Sequence, residues 1–175
     1  MKMKAQSKME TKPFTGKRIV VRTPHSVDDV LNRLRSVMGS TTVPDILSLA
    51  KAQPSQAEFA RQTEERFVGE SGFMLFHVID HSGWLPIYGI KRRAVRWILG
   101  NPLLAITMIR HDITAGLFAP VELLVTDNPG DGGSTITYLL PSSLMVIEEN
   151  KPLLDAALDL DKKLADLVAH GAGSD

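Results

Sequence analysis

The chain has 175 residues, 20 acidic and 20 basic side chains and no cysteine. The length suits one domain able to bury a core, and the missing cysteine excludes disulfides, thiolate metal sites and a cysteine nucleophile. A net charge of zero argues against a protein built around nucleic acid or an anionic membrane.

Residues 1–14 are basic and carry no apolar run, so the reading is a solvated, disordered tail and not a secretory signal. KRIVVRT (17–23) predicts a first strand. Ser26 and Asp29 have the spacing of a capping box. The helix they open carries Val30, Leu31, Leu34, Val37 and Met38 on one face, with Gly39 as its stop. A short helix is expected from Pro44 to Lys51. After Pro54, Ser55-Gln56-Ala57-Glu58 reads as another capping box. Its helix places Phe59, Ala60, Thr63 and Phe67 on one side and an Arg61–Glu65 pair on another.

FMLFHVID (73–80) reads as a largely buried strand. Gly83, Pro86 and Gly89 punctuate a loop that holds Trp84 and Tyr88. Lys91, Arg92 and Arg93 lead into AVRWILG (94–100), where alternation buries Trp97 and exposes Arg96. Asn101-Pro102 starts a helix running to about Asp112. The apolar run from Trp97 to Ile109 that spans this junction is shorter than the ~18 residues a membrane span needs. VELLVTD (121–127) and STITYLL (134–140), joined by the turn Asn128–Gly133, predict an antiparallel hairpin. Leu153, Ala157, Leu160, Leu164 and Leu167 stripe a helix from about Lys151 to Ala169, which His170 and Gly171 suit as an end.

Mixed strands and helices without strict alternation predict an α+β domain over 15–172. The sheet is expected to be mostly antiparallel with about five strands, and the helices mainly on one face. No internal repeat is present.

The candidate chemistry is sparse. His77 and His81 lack the glutamate and helix of a zincin motif, and strand residues four apart lie ~13 Å from each other, so no metal is expected there. Asp80-His81 closes a strand and reads either as a functional pair or as a turn cap. Gly100-Asn101-Pro102 reads as a helix cap or as a helix start whose free N–H groups hold an anion. His111, with an ordinary pKa near ~6.5, is a candidate acid or base, though dipole-favourable charge at a helix end explains it equally. Ser142, after Pro141, is a turn or ligand residue. No G-x-S-x-G, Walker A or G-x-G-x-x-G is present.

Ile79-Asp80-His81, Gly100-Asn101-Pro102, TAGLFAPVELLV (114–125), Tyr138 and Pro141-Ser142-Ser143, in that order and spacing, resemble domain-of-unknown-function family 302, best over 72–145. The resemblance implies a compact α+β domain, often a homodimer, with no settled function. Some relatives carry aspartate after the strand tyrosine, where this chain has Leu139. The stretch 40–70 reads as a helical insertion of a subfamily.

The expected function is a small-molecule pocket drawing on Asp80, His81, Asn101, His111, Tyr138 and Ser142, with Asp80, His81 and Asn101 at neighbouring strand ends within ~5–10 Å. An enzyme using Asp80/His81 or His111 for acid/base work is the alternative, and a dimeric interaction module without a ligand is another. No cofactor, nucleic acid or membrane partner is expected, and the compartment is read as cytoplasmic. A homodimer is also suggested by Phe118, Val121, Leu123 and Leu124, more apolar surface than one hairpin face buries.

Overall fold

The computed structural model describes residues 7–130 and 132–174. Six strands, β1 (Arg18–Thr23), β2 (Gly39–Ser40), β3 (Met74–Asp80), β4 (Ala94–Gly100), β5 (Val121–Asp127) and β6 (Ser134–Leu139), form one sheet in the order β1-β6-β5-β4-β3-β2. Every pairing is antiparallel except β2 with β3. The strand beyond the expected five is β2, two residues long and too short to carry a periodic signal. The helices are α1 (Val27–Val37), α2 (Val43–Lys51), α3 (Gln56–Phe67), α4 (Pro102–Ile109), α5 (Pro141–Met145) and α6 (Lys151–Ala172).

Alternation divides the sheet cleanly. Val95, Trp97 and Leu99 on β4, Leu123 and Val125 on β5, and Ile136 and Tyr138 on β6 face inward. They meet Val30, Leu31 and Leu34 of α1 and Leu153, Leu160, Leu164 and Leu167 of α6 in one apolar core. Trp97 is fully buried with the Arg35 guanidinium over its ring, as strand alternation predicts, while Arg96 pairs with Glu122 on the other face. That other face carries Leu124, Thr126, Thr137 and Leu139 and, among the described residues, has no helix laid across it.

Local chemistry explains the helix boundaries. The Ser26–Asp29 capping box forms in both directions, and Thr42 with Asp45 builds a second one that the sequence reading passed over. At Ser55 only half the box forms. Its hydroxyl accepts from the Glu58 N–H, but the Glu58 carboxylate turns to Arg61 and Gln62 instead. Two glycines work differently from expectation. Gly39 does not stop α1 by a left-handed turn; it lies in β2, where a Cβ would sit 1.7 Å from the Phe67 carbonyl oxygen. Gly171 lies within α6 against Leu34, and Gly173, at φ 73°, ends that helix.

The strand β3 is less buried than its composition suggests. Met74 is buried, whereas His77, Val78 and Asp80 are exposed. Its outer neighbour β2 covers only its first residues, and the pairing with β4 slips between Leu75 and His77. Part of the expected tail, residues 1–6, lies outside the described residues. Residues 7–17 have no regular structure, but Lys12 pairs with Glu148 at 2.7 Å and the Phe14 ring meets Phe118 edge-on.

Candidate functional site

Two hollows flank the β3–β4 pair. At one end, where β4 runs into α4, lies a cavity of about 190 Å³. Its walls come from α2 (Val43, Ile46, Leu47), β3 with the residue before it (Phe73, Phe76), α4 (Leu104, Met108) and the start of β5. The second hollow is a broad cleft of about 880 Å³ on the helix-free face of the sheet. His81 and Trp84 stand on one side of it, Leu117 and Leu144 on the other, with Arg96, Glu122 and Thr137 along the floor.

Asn101 is placed by its role as a cap. Its Oδ1 accepts from the Leu103 N–H at 2.8 Å, and its Nδ2 donates to the Gly72 carbonyl at 3.0 Å. Its own carbonyl takes the N–H groups of Leu104 and Ala105. Pro102 has no N–H. The first turn of α4 therefore offers no free donor, and the anion reading of this junction gives way to the cap.

Asp80 and His81 lie at the far end of the same hairpin. In an antiparallel pair the end of one strand adjoins the start of the next, so Asp80 faces Val95 while Gly100 faces Met74. Six residues of strand put Asp80 roughly 20 Å from the Asn101 junction. The expected meeting of Asp80, His81 and Asn101 does not occur. Asp80 accepts from the Ser82 N–H at 2.9 Å, capping the turn His81–Gly83. The Ser82 side chain, with a smaller contribution from that N–H, holds the carboxyl below the usual range, against an opposing effect of burial. His81 stacks edge-on against Trp84, and Trp84 against Tyr88.

The remaining candidates are dispersed. His111 is exposed beyond the end of α4, and its carbonyl accepts from Asn150. Tyr138 borders the cleft, and burial, helped by the Asp161 carboxylate, pushes its hydroxyl above the ordinary value. Ser142 donates from its N–H at 2.9 Å and its hydroxyl at 2.5 Å to buried Asp161 of α6, which caps α5. Asp161 was missed in sequence; the visible signal is an acid at the edge of the leucine stripe, four residues after Ala157 and three before Leu164. Among the described residues no three His, Cys, Asp or Glu cluster as a metal site, and no helix is long and apolar enough to cross a membrane. The basic run before β4 is engaged: Arg92 bonds Asp127 and Arg93 bonds Asp28.

Comparison with known proteins gives two findings. A family profile described as "Domain of unknown function DUF302" matches residues 50–171. The match is wider than the 72–145 of the sequence reading, and of the stretch 40–70 it leaves only residues 40–49 outside. The crystal structure of an uncharacterized conserved DUF302 protein from Bacillus stearothermophilus is similar, with a TM-score of 0.60 at 17% identity, over 87% of this chain and 96% of that one. No curated protein matches.

Proposed function

Because this chain belongs to the DUF302 family, whose function is unknown, we propose its role from its own geometry: it binds a small apolar molecule in the cavity beside Gly100-Asn101-Pro102. The observation that carries this is the cavity itself, about 190 Å³ with Asn101 the sole polar side chain in its lining. The hollow opens to solvent past exposed Val43 and Leu47, and its size suits a guest such as benzene, which an apolar cavity of ~150 Å³ elsewhere takes. Asn101 then serves the site indirectly, fixing the start of α4 so that Leu104 and Met108 form a wall.

The acid/base alternative has less support. The Asp80 carboxylate is occupied by the Ser82 amide, and His111 lies apart from both hollows. A homodimer is the second part of the reading. Its original motive changes, since Val121 and Leu123 are buried within the chain. What favours it now is the helix-free sheet face, bordered by exposed Trp84, Leu117 and Leu139. Light scattering after size exclusion should give twice the 19.2 kDa chain mass, and a monomer at all micromolar concentrations contradicts it. A cytoplasmic setting accords with the cysteine-free composition.

A thermal-shift screen with small apolar compounds tests the ligand reading. A binder at 100 times its Kd should stabilise the native state by about 2.7 kcal/mol. A screen in which benzene, indole and short alcohols all leave the melting temperature unchanged argues against it.

A further inference from the structure

Independently of the cavity, we propose that the free edge of β1 takes up an extended acidic segment of a partner protein as an added strand. The two edges of the sheet differ. β2 is two residues long and soon gives way to α2. β1 is six residues long, contains neither glycine nor proline, and keeps an unbroken register against β6. Among the described residues no strand pairs with its other side.

Hydrogen-bond alternation says which groups of β1 are open. The Lys17 carbonyl accepts the Leu140 N–H at 2.8 Å, one step beyond the register pair Arg18–Leu139. Antiparallel pairs alternate between bonded and non-bonded. Ile19 and Val21 therefore turn their backbone groups to β6, and Arg18, Val20 and Arg22 turn theirs outward. A row of open N–H and C=O groups on an edge of this length is a template for another strand. The side chains suit one as well. Val20 is 50% exposed, and half-buried Ile19 and Val21 pack against the core, where apolar residues of an added strand would cover them further.

Charge chooses the partner. Arg18 and Arg22 lie opposite Leu139 and Thr135 of β6, neither of them charged. Around β4, by contrast, Arg92, Arg93 and Arg96 each meet a carboxylate. Among the described residues Arg18 and Arg22 have no ion pair. A second copy of β1 is a poor match. The antiparallel register that pairs all three outward residues sets Arg18 against Arg22 of the partner subunit, and like charges directly opposite repel. Residues 1–9 of the chain add three lysines and no acid, so they do not complement the edge either. What fits is a strand with two carboxylates four residues apart, a β-branched residue midway and apolar residues between. Its acids would meet Arg18 and Arg22, which stand ~13 Å apart along the strand.

The test uses the full chain with two peptides, GEITVEG and its lysine counterpart GKITVKG, read by amide hydrogen exchange and NMR titration. In the protein alone the Arg18, Val20 and Arg22 amides should exchange fast and those of Ile19 and Val21 slowly. GEITVEG should slow the first three and bind about tenfold tighter than GKITVKG, from two opposite-charge pairs. Arg18→Glu combined with Arg22→Glu should reverse that preference. Val20→Pro, whose missing N–H points away from β6, should abolish binding while β1 stays paired. Should that variant not fold, GEITVEG methylated on the backbone nitrogens of its glutamates and threonine should fail to bind the parent protein. Equal slowing by both peptides, no slowing by either, or protection of the three outward amides before any peptide is added would each overturn the proposal. In the last case, protection that falls on dilution assigns the edge to a second copy, and protection lost on deleting residues 1–12 assigns it to the chain's own start.

Discussion

The two ends of the β3–β4 hairpin carry motifs that look equally functional in sequence, yet they are built for different purposes. At the Asp80-His81 end the polar groups are spent on a turn, and the surrounding glycine has room to spare: a Cβ on Gly83 meets nothing within 4 Å. At the Gly100-Asn101-Pro102 end the backbone is crowded. Gly39 is pressed against Phe67, Asn101 ties α4 to Gly72, and a void nevertheless survives. A hollow kept amid tight packing points to a ligand more strongly than a polar motif on an exposed turn.

Substitutions at the two ends should separate them. The largest effect is expected from Gly39→Ala, whose Cβ would strike the Phe67 backbone and force α3 away from β2. A loss of about 3 kcal/mol or more is predicted, at the upper end of overpacking costs, measured by urea unfolding. Gly83→Ala should stay within about 0.5 kcal/mol of the parent. Equal losses at the two positions would erase the contrast. Next in size, Asn101→Ala removes a cap and the bond to Gly72 together, for about 1–2 kcal/mol. Asp80→Ala removes one turn cap and should cost about 1 kcal/mol or less.

The two ends should also differ in acid. Asp80 in the folded chain titrates below its ordinary value because Ser82 donates to the carboxylate. Its contribution is present above the ordinary carboxylate pKa and is lost as pH falls through the lowered folded value. Hydrogen exchange at the Ser82 amide should therefore lose protection below about pH 4, near the ordinary aspartate pKa, relative to the Leu103 amide, which a neutral side chain caps. In Asp80→Asn that extra acid sensitivity should vanish. A small effect is also expected at the N-terminus. Deleting residues 1–12 removes the exposed Lys12–Glu148 pair and should change stability by less than about 1 kcal/mol.

Much of this fold is legible because its signals are local. The strands β4 and β5 end where alternation and turn residues say they do, and the leucine stripe finds α6. The features not legible arise from contacts distant in sequence. Gly39 looks like a helix stop until Phe67 is brought beside it. Asp161 looks like a solvent-facing acid until Ser142 arrives, 19 residues away. The candidate site suffered most from this. Reading Asp80 and Asn101 as neighbours assumed that strand ends gather at one side of a sheet, and antiparallel pairing sends them to opposite sides. Beyond Gly100-Asn101-Pro102 at one edge the cavity has no motif, since its other walls come from α2, β3, α4, β5 and α6, which supply ordinary apolar residues.

Benzene titrated into methyl-labelled protein tests the central claim most directly, because it asks which hollow takes an apolar guest. The account predicts saturable shifts of Ile46, Leu104, Met108 and Leu160, around the cavity, while Leu117, Leu139 and Leu144 on the open sheet face stay in place. Shifts confined to the open face, with the cavity methyls unmoved, would contradict it.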